Sequence, residues 1–288
     1  MAVNFSTKYL KKQDGTQIFF RFWKGKKNYP VLILLHGLGA HSLRFEEMAN
    51  YFKKENFNVY AFDFTGFGKS QGFKGHIDNF NTYVNETLLI LKLSQIEYPK
   101  SPKFIIGESM GGVIGLHFAR YYQEYINGLI LLSPASKIKI HIPFRKKFDA
   151  VVSLIFDKFK QYEVPFTKEM ITRDYKWQKK LQKDSLDVKT VTAKFYFELD
   201  KAMKELKNIL PKINLPVYIL QAGDDLLIDK EGTKELFNLL NSSSKSFEIL
   251  ENFYHALSID RDREFVYSLI YRWIDYRLYI ENSFNMKG

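Results

Sequence analysis

A serine lies at the centre of the segment Gly107-Glu108-Ser109-Met110-Gly111, between the apolar run Lys103–Ile106 and the helix-like stretch Gly112–Tyr122. A strand that turns this sharply into a helix needs small residues two positions before and after the serine, because the backbone passes there without room for a Cβ atom. A side chain at the tip of such a turn projects clear of the sheet. Ser109 is therefore the candidate nucleophile.

A serine hydroxyl reacts only when a base removes its proton, and the base works best when a carboxylate orients it and stabilises its charge. Downstream, Asp225 follows the predicted strand Val217–Gln221, and His255 follows the predicted strand Phe247–Leu250. Parallel strands bring their carboxyl ends to one edge of a sheet. We therefore expect Ser109, Asp225 and His255 to converge there as nucleophile, orienting carboxylate and base.

Other carboxylates compete for the histidine. Asp224 is adjacent to Asp225, and Asp229 lies on the next turn. The position directly after the strand favours Asp225, whereas Asp229 is more simply the N-cap of a predicted helix over Lys230–Leu240. The alternative for His255 is a purely structural histidine, but its place after the last predicted strand favours the base.

Attack on an acyl carbonyl places negative charge on an oxygen, which needs preorganised N–H donors. The amide of Met110 is one candidate, because it opens a helix where unpaired amides and the helix dipole both favour an anion. The second donor should come from His36-Gly37-Leu38-Gly39, most simply from the amide of Leu38. We interpret His36 as an orienting loop residue.

Short apolar runs alternate with helical stretches before position 135, which is typical of a mostly parallel sheet covered by helices. Asp14-Gly15 indicates a hairpin between the first two strands. The predicted strands are Tyr9–Lys11, Gln17–Trp23, Val31–Leu35, Val59–Phe62, Phe104–Ile106, Gly128–Leu132, Val217–Gln221 and Phe247–Leu250. The predicted helices are Leu43–Lys54, Phe80–Ile96, Gly112–Tyr122, Lys230–Leu240 and a final helix over about 261–279.

The alternation stops after Ser133-Pro134, and roughly 75 lysine-rich, apparently helical residues precede the strand at Val217. We therefore predict a core over 1–135 and 213–288 with an inserted helical cap over 136–212. The formal charge of the chain is +11. Lys137–Lys212 hold 19 basic against 10 acidic residues, and the rest of the chain holds 24 against 22.

Composition excludes several classes of site and partner. The chain has no cysteine, and its histidines form no metal-binding motif such as His-Glu-x-x-His, so we expect no disulfide and no metal. No nucleic-acid module accompanies the basic charge, so we expect no nucleic-acid partner. Residues 1–8 contain no apolar signal-peptide core, and the apolar runs are too short to span a bilayer. The expected location is cytoplasmic.

Taken together, the motifs resemble those of the monoacylglycerol lipase and lysophospholipase branch of the α/β-hydrolases, a group similar to the serine aminopeptidases S33. The order Ser, Asp, His along the chain is also that of the α/β-hydrolases. The segments that carry the resemblance are His36-Gly37-Leu38-Gly39, Asp63-Phe64-Thr65-Gly66-Phe67-Gly68-Lys69-Ser70, Gly75-His76-Ile77-Asp78, Gly107-Glu108-Ser109-Met110-Gly111-Gly112, Asp225 and Tyr254-His255.

The resemblance implies an α/β-hydrolase fold and a serine carboxylester hydrolase without cofactor, with an oxyanion hole at Leu38 and Met110 and a helical cap over an acyl pocket. Monoacylglycerol is the favoured substrate, and a lysophospholipase or general carboxylesterase is the alternative. Peptidase, thioesterase or carbon–carbon hydrolase chemistry would use the same residues. A non-catalytic binding protein is the hypothesis from another class. Related sequences usually carry arginine at Thr65, and many carry histidine at Glu108.

Apolar residues recur at roughly helical spacing in the cap, interleaved with basic ones. The apolar residues are Ile140, Ile142, Phe144, Phe148, Val151, Val152, Ile155, Phe156 and Phe159, and the basic ones are Arg145, Lys146, Lys147, Lys158 and Lys160. One interpretation is a lid that covers an acyl chain and contacts anionic lipid at the membrane periphery. The other is a cap helix packed on its own core with solvated lysines. The sequence gives no oligomeric state.

Overall fold

The apolar runs of the chain form the strands of a central sheet. The computed structural model describes residues 5–140 and 144–285, and for 144–148, 155, 281, 282, 284 and 285 it describes the backbone alone. In chain order the strands are β1 (Ser6–Lys11), β2 (Gln17–Trp23), β3 (Val31–Leu35), β4 (Asn58–Phe62), β5 (Lys103–Glu108), β6 (Gly128–Leu132), β7 (Gln161–Glu163), β8 (Thr190–Thr192), β9 (Val217–Ala222) and β10 (Lys245–Leu250).

Within the described residues, eight of these strands make one sheet in the order β1-β2-β4-β3-β5-β6-β9-β10. The pairs β1–β2 and β2–β4 are antiparallel, and the other neighbouring pairs are parallel. The prediction of a mostly parallel sheet is confirmed. The loops after β3, β5, β9 and β10 consequently leave the sheet at one edge.

Helices cover both faces of the sheet. They are α1 (Glu46–Lys54), α2 (Asn81–Glu97), α3 (Met110–Tyr122), α4 (Phe144–Phe156), α5 (Lys168–Ile171), α6 (Tyr175–Lys183), α7 (Ala193–Ile209), α8 (Lys230–Leu239) and α9 (Arg263–Asn285). Leu32 and Leu34 of β3 pack in the same cluster as α1 and α9, whereas Ile33 and Leu35 pack with α2, α3 and α8. Successive side chains of a strand point to opposite faces, so a strand covered on both sides is apolar throughout.

The predicted strands and helices of the core lie within a few residues of the observed ones, and three boundaries differ by three residues or more. The first strand begins at Ser6 instead of Tyr9. A short 3₁₀ turn, Ser42–Phe45, precedes α1, so the helix begins three residues later than predicted. The last helix continues to Asn285 instead of ending near Tyr279, because no glycine or proline in the intervening sequence stops it.

The segment between β6 and β9 contains α4 to α7 and the antiparallel pair β7–β8. The sequence pattern does not predict the two strands, because three residues are too few to display an alternation. Of the predicted apolar positions, Ile142 lies outside the described residues. In the described part of the chain, no helix is both long and apolar enough to cross a bilayer.

Hydrogen bonds join this inserted segment to the core at several places. The Val188 amide donates to the Gly39 carbonyl, and the Thr192 amide donates to the Gly75 carbonyl, both at 2.9 Å. At a third place the buried carboxylate of Asp260, in the loop before α9, accepts hydrogen bonds from the amide and side chain of Arg173. The Ala256 amide of the same loop donates to Ile171 at 2.9 Å.

Two glycines allow α3 to cross close over the ends of β3 and β5. A Cβ atom on Gly107 would lie 2.3 Å from the carbonyl oxygen of Gly111, and one on Gly111 would lie 2.0 Å from the carbonyl oxygen of Leu35. No side chain can be accommodated at such distances without moving the backbone, so this crossing depends on glycine.

Replacing Gly111 with alanine is therefore expected to lower the free energy of unfolding by about 3 kcal/mol, the upper part of the range for overpacking. Urea denaturation followed by circular dichroism measures the change. Gly15→Asn is the control, because Gly15 lies in a turn with a φ of +86° and only the end of the Lys11 side chain near it, and asparagine tolerates that conformation. A loss below about 1 kcal/mol for Gly111→Ala would contradict the crossing as described.

Candidate active site

Ser109 occupies the tip of the turn between β5 and α3 in a strained conformation. Its φ of 56° and ψ of −116° are unusual for a residue with a side chain and cost about 1 to 3 kcal/mol. The conformation is held because the Ser109 amide donates to Leu132 on β6 at 2.9 Å and its carbonyl accepts from Gly112 at the same distance. The side chain lines a cavity of about 680 Å³.

His255 lines the same cavity and is hydrogen-bonded to Asp225. The ring Nδ1 lies 2.8 Å from Oδ2 of the carboxylate. Since an ionised carboxylate only accepts, Nδ1 carries the proton and Nε2 remains available as the basic nitrogen. The other carboxylate oxygen accepts from the amides of Leu227 and Ile228 at 2.8 and 2.9 Å.

The surroundings of Asp225 and His255 favour an ionised carboxylate beside a protonated imidazole. Burial alone would raise the pKa of Asp225, but the charge of His255 and the hydrogen bonds from His255, Ile228 and Leu227 lower it overall. Burial alone would lower the pKa of His255, but Asp225, with a further contribution from the carboxylate of Glu108, raises it overall. The imidazolium form is therefore stabilised at this site.

The other two carboxylates do not face the histidine. Asp224 is exposed to solvent. Asp229 caps α8, where its side chain accepts from the Glu231 amide at 3.2 Å, so the prediction of an N-cap is confirmed. Of the three candidates, the structure brings Asp225 to His255.

Leu38 and Met110 line the same cavity as Ser109. In the part of the chain that the structure describes, neither amide donates a hydrogen bond to another protein group. His36 is buried and neutral, because burial lowers its pKa to about 4. Its Nε2 accepts from the Phe64 amide at 3.1 Å and its Nδ1 donates to the Gly37 carbonyl at 2.9 Å. His36 thus fixes the loop that carries Leu38.

Much of the remaining cavity wall is apolar and comes from the segment between β6 and β9. Representative lining residues are Ile140, Leu154, Phe166, Tyr196, Leu199 and Met203. Arg44 also lines the cavity, and its guanidinium pairs with Asp187 at 2.7 Å. The sequence does not single out Arg44, because no motif spacing marks it. Such a cavity can take a long apolar chain with its polar end near the serine.

Among the described residues, His41, Asp184 and Asp187 could bring three ligand atoms within 4.8 Å of one another. His41 Nε2 lies 2.9 Å from Asp184, and the guanidinium of Arg44 already pairs with Asp187. A positive charge beside the group disfavours a cation. These contacts tie the turn after β3 to the inserted segment.

Comparison with known proteins finds a matching family model and several similar proteins. A family model described as Hydrolase_4, serine aminopeptidase S33, matches residues 26–262. The human monoglyceride lipase is 29% identical over 253 residues, which cover 86% of this chain and 83% of that protein. The phospholipase YtpA of Bacillus subtilis is 27% identical over 253 residues, covering 85% of this chain and 95% of the relative.

A solved structure extends the likeness to three dimensions. The soluble variant of monoglyceride lipase from Saccharomyces cerevisiae, in complex with a substrate analogue, superposes with a TM-score of 0.85. It is 20% identical and covers 96% of each chain. At this identity the likeness shows a shared fold.

The contact between Asp225 and His255 generates a direct test. Asp225→Asn is expected to slow the labelling of Ser109 by a fluorophosphonate on the order of 10³-fold, because the amide reverses the polarity of the bond to Nδ1 and favours the wrong tautomer. Labelling rates followed by mass spectrometry measure the effect. Asp224→Asn, the exposed neighbour, should react at the wild-type rate. A larger loss for Asp224→Asn than for Asp225→Asn would contradict the assignment.

Proposed function

Because the chain belongs to the serine aminopeptidase S33 family of α/β-hydrolases, we propose that it is a monoacylglycerol lipase that releases fatty acid and glycerol. The observation that carries the proposal is that Ser109 and the Asp225-bound His255 open into a cavity with a largely apolar wall. The human monoglyceride lipase, 29% identical, supports the choice of substrate. The protein is a serine ester hydrolase, and what we propose is that monoacylglycerol is its preferred ester.

In the proposed mechanism, Ser109 attacks the ester carbonyl while Nε2 of His255 takes the hydroxyl proton. The amides of Leu38 and Met110 donate to the oxygen of the tetrahedral intermediate. His255 then protonates the departing glycerol, which leaves an acyl-Ser109 ester. Water deprotonated by His255 attacks that ester and releases the fatty acid. Asp225 stabilises the imidazolium in both halves of the reaction.

We propose that residues 136–212 act as a cap that encloses the acyl chain, on a core formed by 1–135 and 213–288. Support comes from the apolar lining residues contributed by this segment, such as Leu154, Phe166 and Leu199. A cavity of about 680 Å³ is in the range of pockets that bury most of a small-molecule ligand.

A lysophospholipid is the second candidate substrate, and Arg44 is the observation that favours it. The guanidinium lies at the cavity wall with Ser109, where a phosphate attached to the departing alcohol could meet a cation. The similarity to a Bacillus subtilis phospholipase points the same way. Against it, Asp187 already pairs with Arg44 at 2.7 Å, which leaves less positive charge for a phosphate. We therefore favour the uncharged glycerol.

One substrate panel separates these candidates. Monoacylglycerols of several chain lengths, matching lysophospholipids and a short water-soluble ester are compared for the wild type and Ser109→Ala. We expect serine-dependent turnover with the highest kcat/KM on medium or long monoacylglycerols, because the longer chain buries more apolar surface at about 0.8 kcal/mol per methylene group. Preference for lysophospholipid would indicate that Arg44 binds the phosphate of the departing alcohol. Preference for the short ester would indicate a general carboxylesterase. Absence of fluorophosphonate labelling at Ser109 would indicate a binding protein.

We further propose that the cap contacts anionic lipid at the periphery of a membrane. Ile138, Val151 and Phe197 line the cavity and are also 45 to 59% exposed, so its mouth has an apolar rim. Phe156, at the end of α4, is 82% exposed. The net charge of Lys137–Lys212, with 19 basic against 10 acidic residues, would attract an anionic surface.

Vesicle sedimentation tests this contact. We expect more protein bound to anionic phosphatidylserine vesicles than to neutral phosphatidylcholine vesicles, and a loss of binding in high salt, because screened charges attract weakly. Phe156→Glu should reduce binding to anionic vesicles several-fold. Tyr279→Glu, at a 71% exposed aromatic residue on α9, is the matched control and should bind normally. Equal binding to neutral and anionic vesicles would disprove the contact.

A further inference from the structure

Glu108 connects the strand that carries Ser109 with the loop that carries His255. It is the last residue of β5 and is buried, with 5% of its surface exposed. Its Oε1 accepts from the Ser258 amide at 2.9 Å, and its Oε2 accepts from the Ser258 hydroxyl at 2.7 Å. The carboxylate therefore holds Ser258 with two hydrogen bonds.

Ser258 is in turn fixed relative to the histidine. The hydroxyl of Tyr267 on α9 donates to the Ser258 carbonyl at 2.5 Å, so all three polar groups of Ser258 have buried partners. Between the histidine and Ser258 the chain makes a tight turn, in which the Leu257 amide donates to the His255 carbonyl at 3.1 Å. A displacement of Ser258 would consequently displace the imidazole.

The charge of Glu108 also acts on the histidine. The charges of His255 and Arg44 influence the pKa of Glu108, and the charge of Glu108 influences the pKa of Tyr267. Burial raises the pKa of Glu108 overall, against the opposing effects of the two bonds from Ser258 and the positive charges of His255 and Arg44. For His255, Asp225 and Glu108 are the two carboxylates that raise its pKa.

We propose that Glu108 is a positioning residue for His255, holding the histidine loop against the nucleophile strand through Ser258 and favouring, by its negative charge, the imidazolium that forms during acyl transfer. This inference rests on the proposed roles of Ser109 and His255.

The test follows the labelling of Ser109 by a fluorophosphonate between about pH 5 and 9, with no lipid substrate present. In this reaction the serine oxygen forms a bond to phosphorus, the phosphorus–fluorine bond breaks, fluoride leaves and His255 takes the serine proton. The rate falls at low pH because protonated His255 cannot act as a base. The midpoint of that fall reports the pKa of His255 in the free protein.

Glu108→Gln keeps a group of the same shape, whose oxygen can accept from the Ser258 amide and whose nitrogen can donate to its hydroxyl, but it removes the charge. A negative neighbour raises the pKa of a histidine, so its removal lowers that pKa, and the midpoint should move to lower pH by about half a unit or more. Ser258→Ala removes one hydrogen bond and keeps the charge. Its midpoint should stay in place while the rate constant falls about fivefold.

Glu86→Gln is the matched control, since Glu86 is another buried carboxylate but its partners are Lys12 and Thr65. Its midpoint should equal that of the wild type. An unchanged midpoint in folded Glu108→Gln, or a wild-type rate constant in Ser258→Ala, would overturn the proposal, and the second variant decides if the first does not fold. If Ser109 is labelled normally and the midpoint shifts as expected, but no lipid is hydrolysed, only the choice of substrate is refuted. If Ser109 of the wild type is not labelled, the proposed function itself is refuted.

Discussion

The close crossing of α3 over the end of β3 is the constraint on which the site depends. With no room for a Cβ atom at Gly111, 2.0 Å from the Leu35 carbonyl, the first turn of α3 lies against the loop that follows β3. This brings the amide of Met110 and that of Leu38 to the same cavity. The strained backbone of Ser109 is the cost of that crossing, and the bond to Leu132 on the adjacent strand holds it.

A second interaction explains how the chain departs from the sequences it resembles. The resemblance drawn from the sequence implies arginine at the position of Thr65. Here the ammonium of Lys12, from the end of β1, donates to Thr65 and to the buried carboxylate of Glu86, both at 3.0 Å. The Thr65 amide and hydroxyl also donate to Glu86. The cation of Lys12, just after β1, thus balances the charge of the buried carboxylate without an arginine at position 65.

Local patterns predicted most of the fold, because core strands of this sheet are continuous apolar runs and its helices have their own start signals. The same patterns proposed Ser109, Asp225 and His255, since each lies in the turn or loop that follows a strand. Contacts between distant residues were not predictable in this way. Glu108 and Ser258 are 150 positions apart in the chain, and neither lies in a motif that implies the other. Likewise, β7 and β8 are three-residue strands that are defined only by their pairing.

Residues 171–173, in the segment between β6 and β9, contact the loop that carries His255. Ile171 and Arg173 bind the loop of His255, through the Ala256 amide and through Asp260. Asp260 also accepts from the Tyr254 amide at 2.9 Å, so both chain neighbours of His255 are held by this arrangement. In a chimera that exchanges caps between relatives, this short segment belongs with the recipient's core.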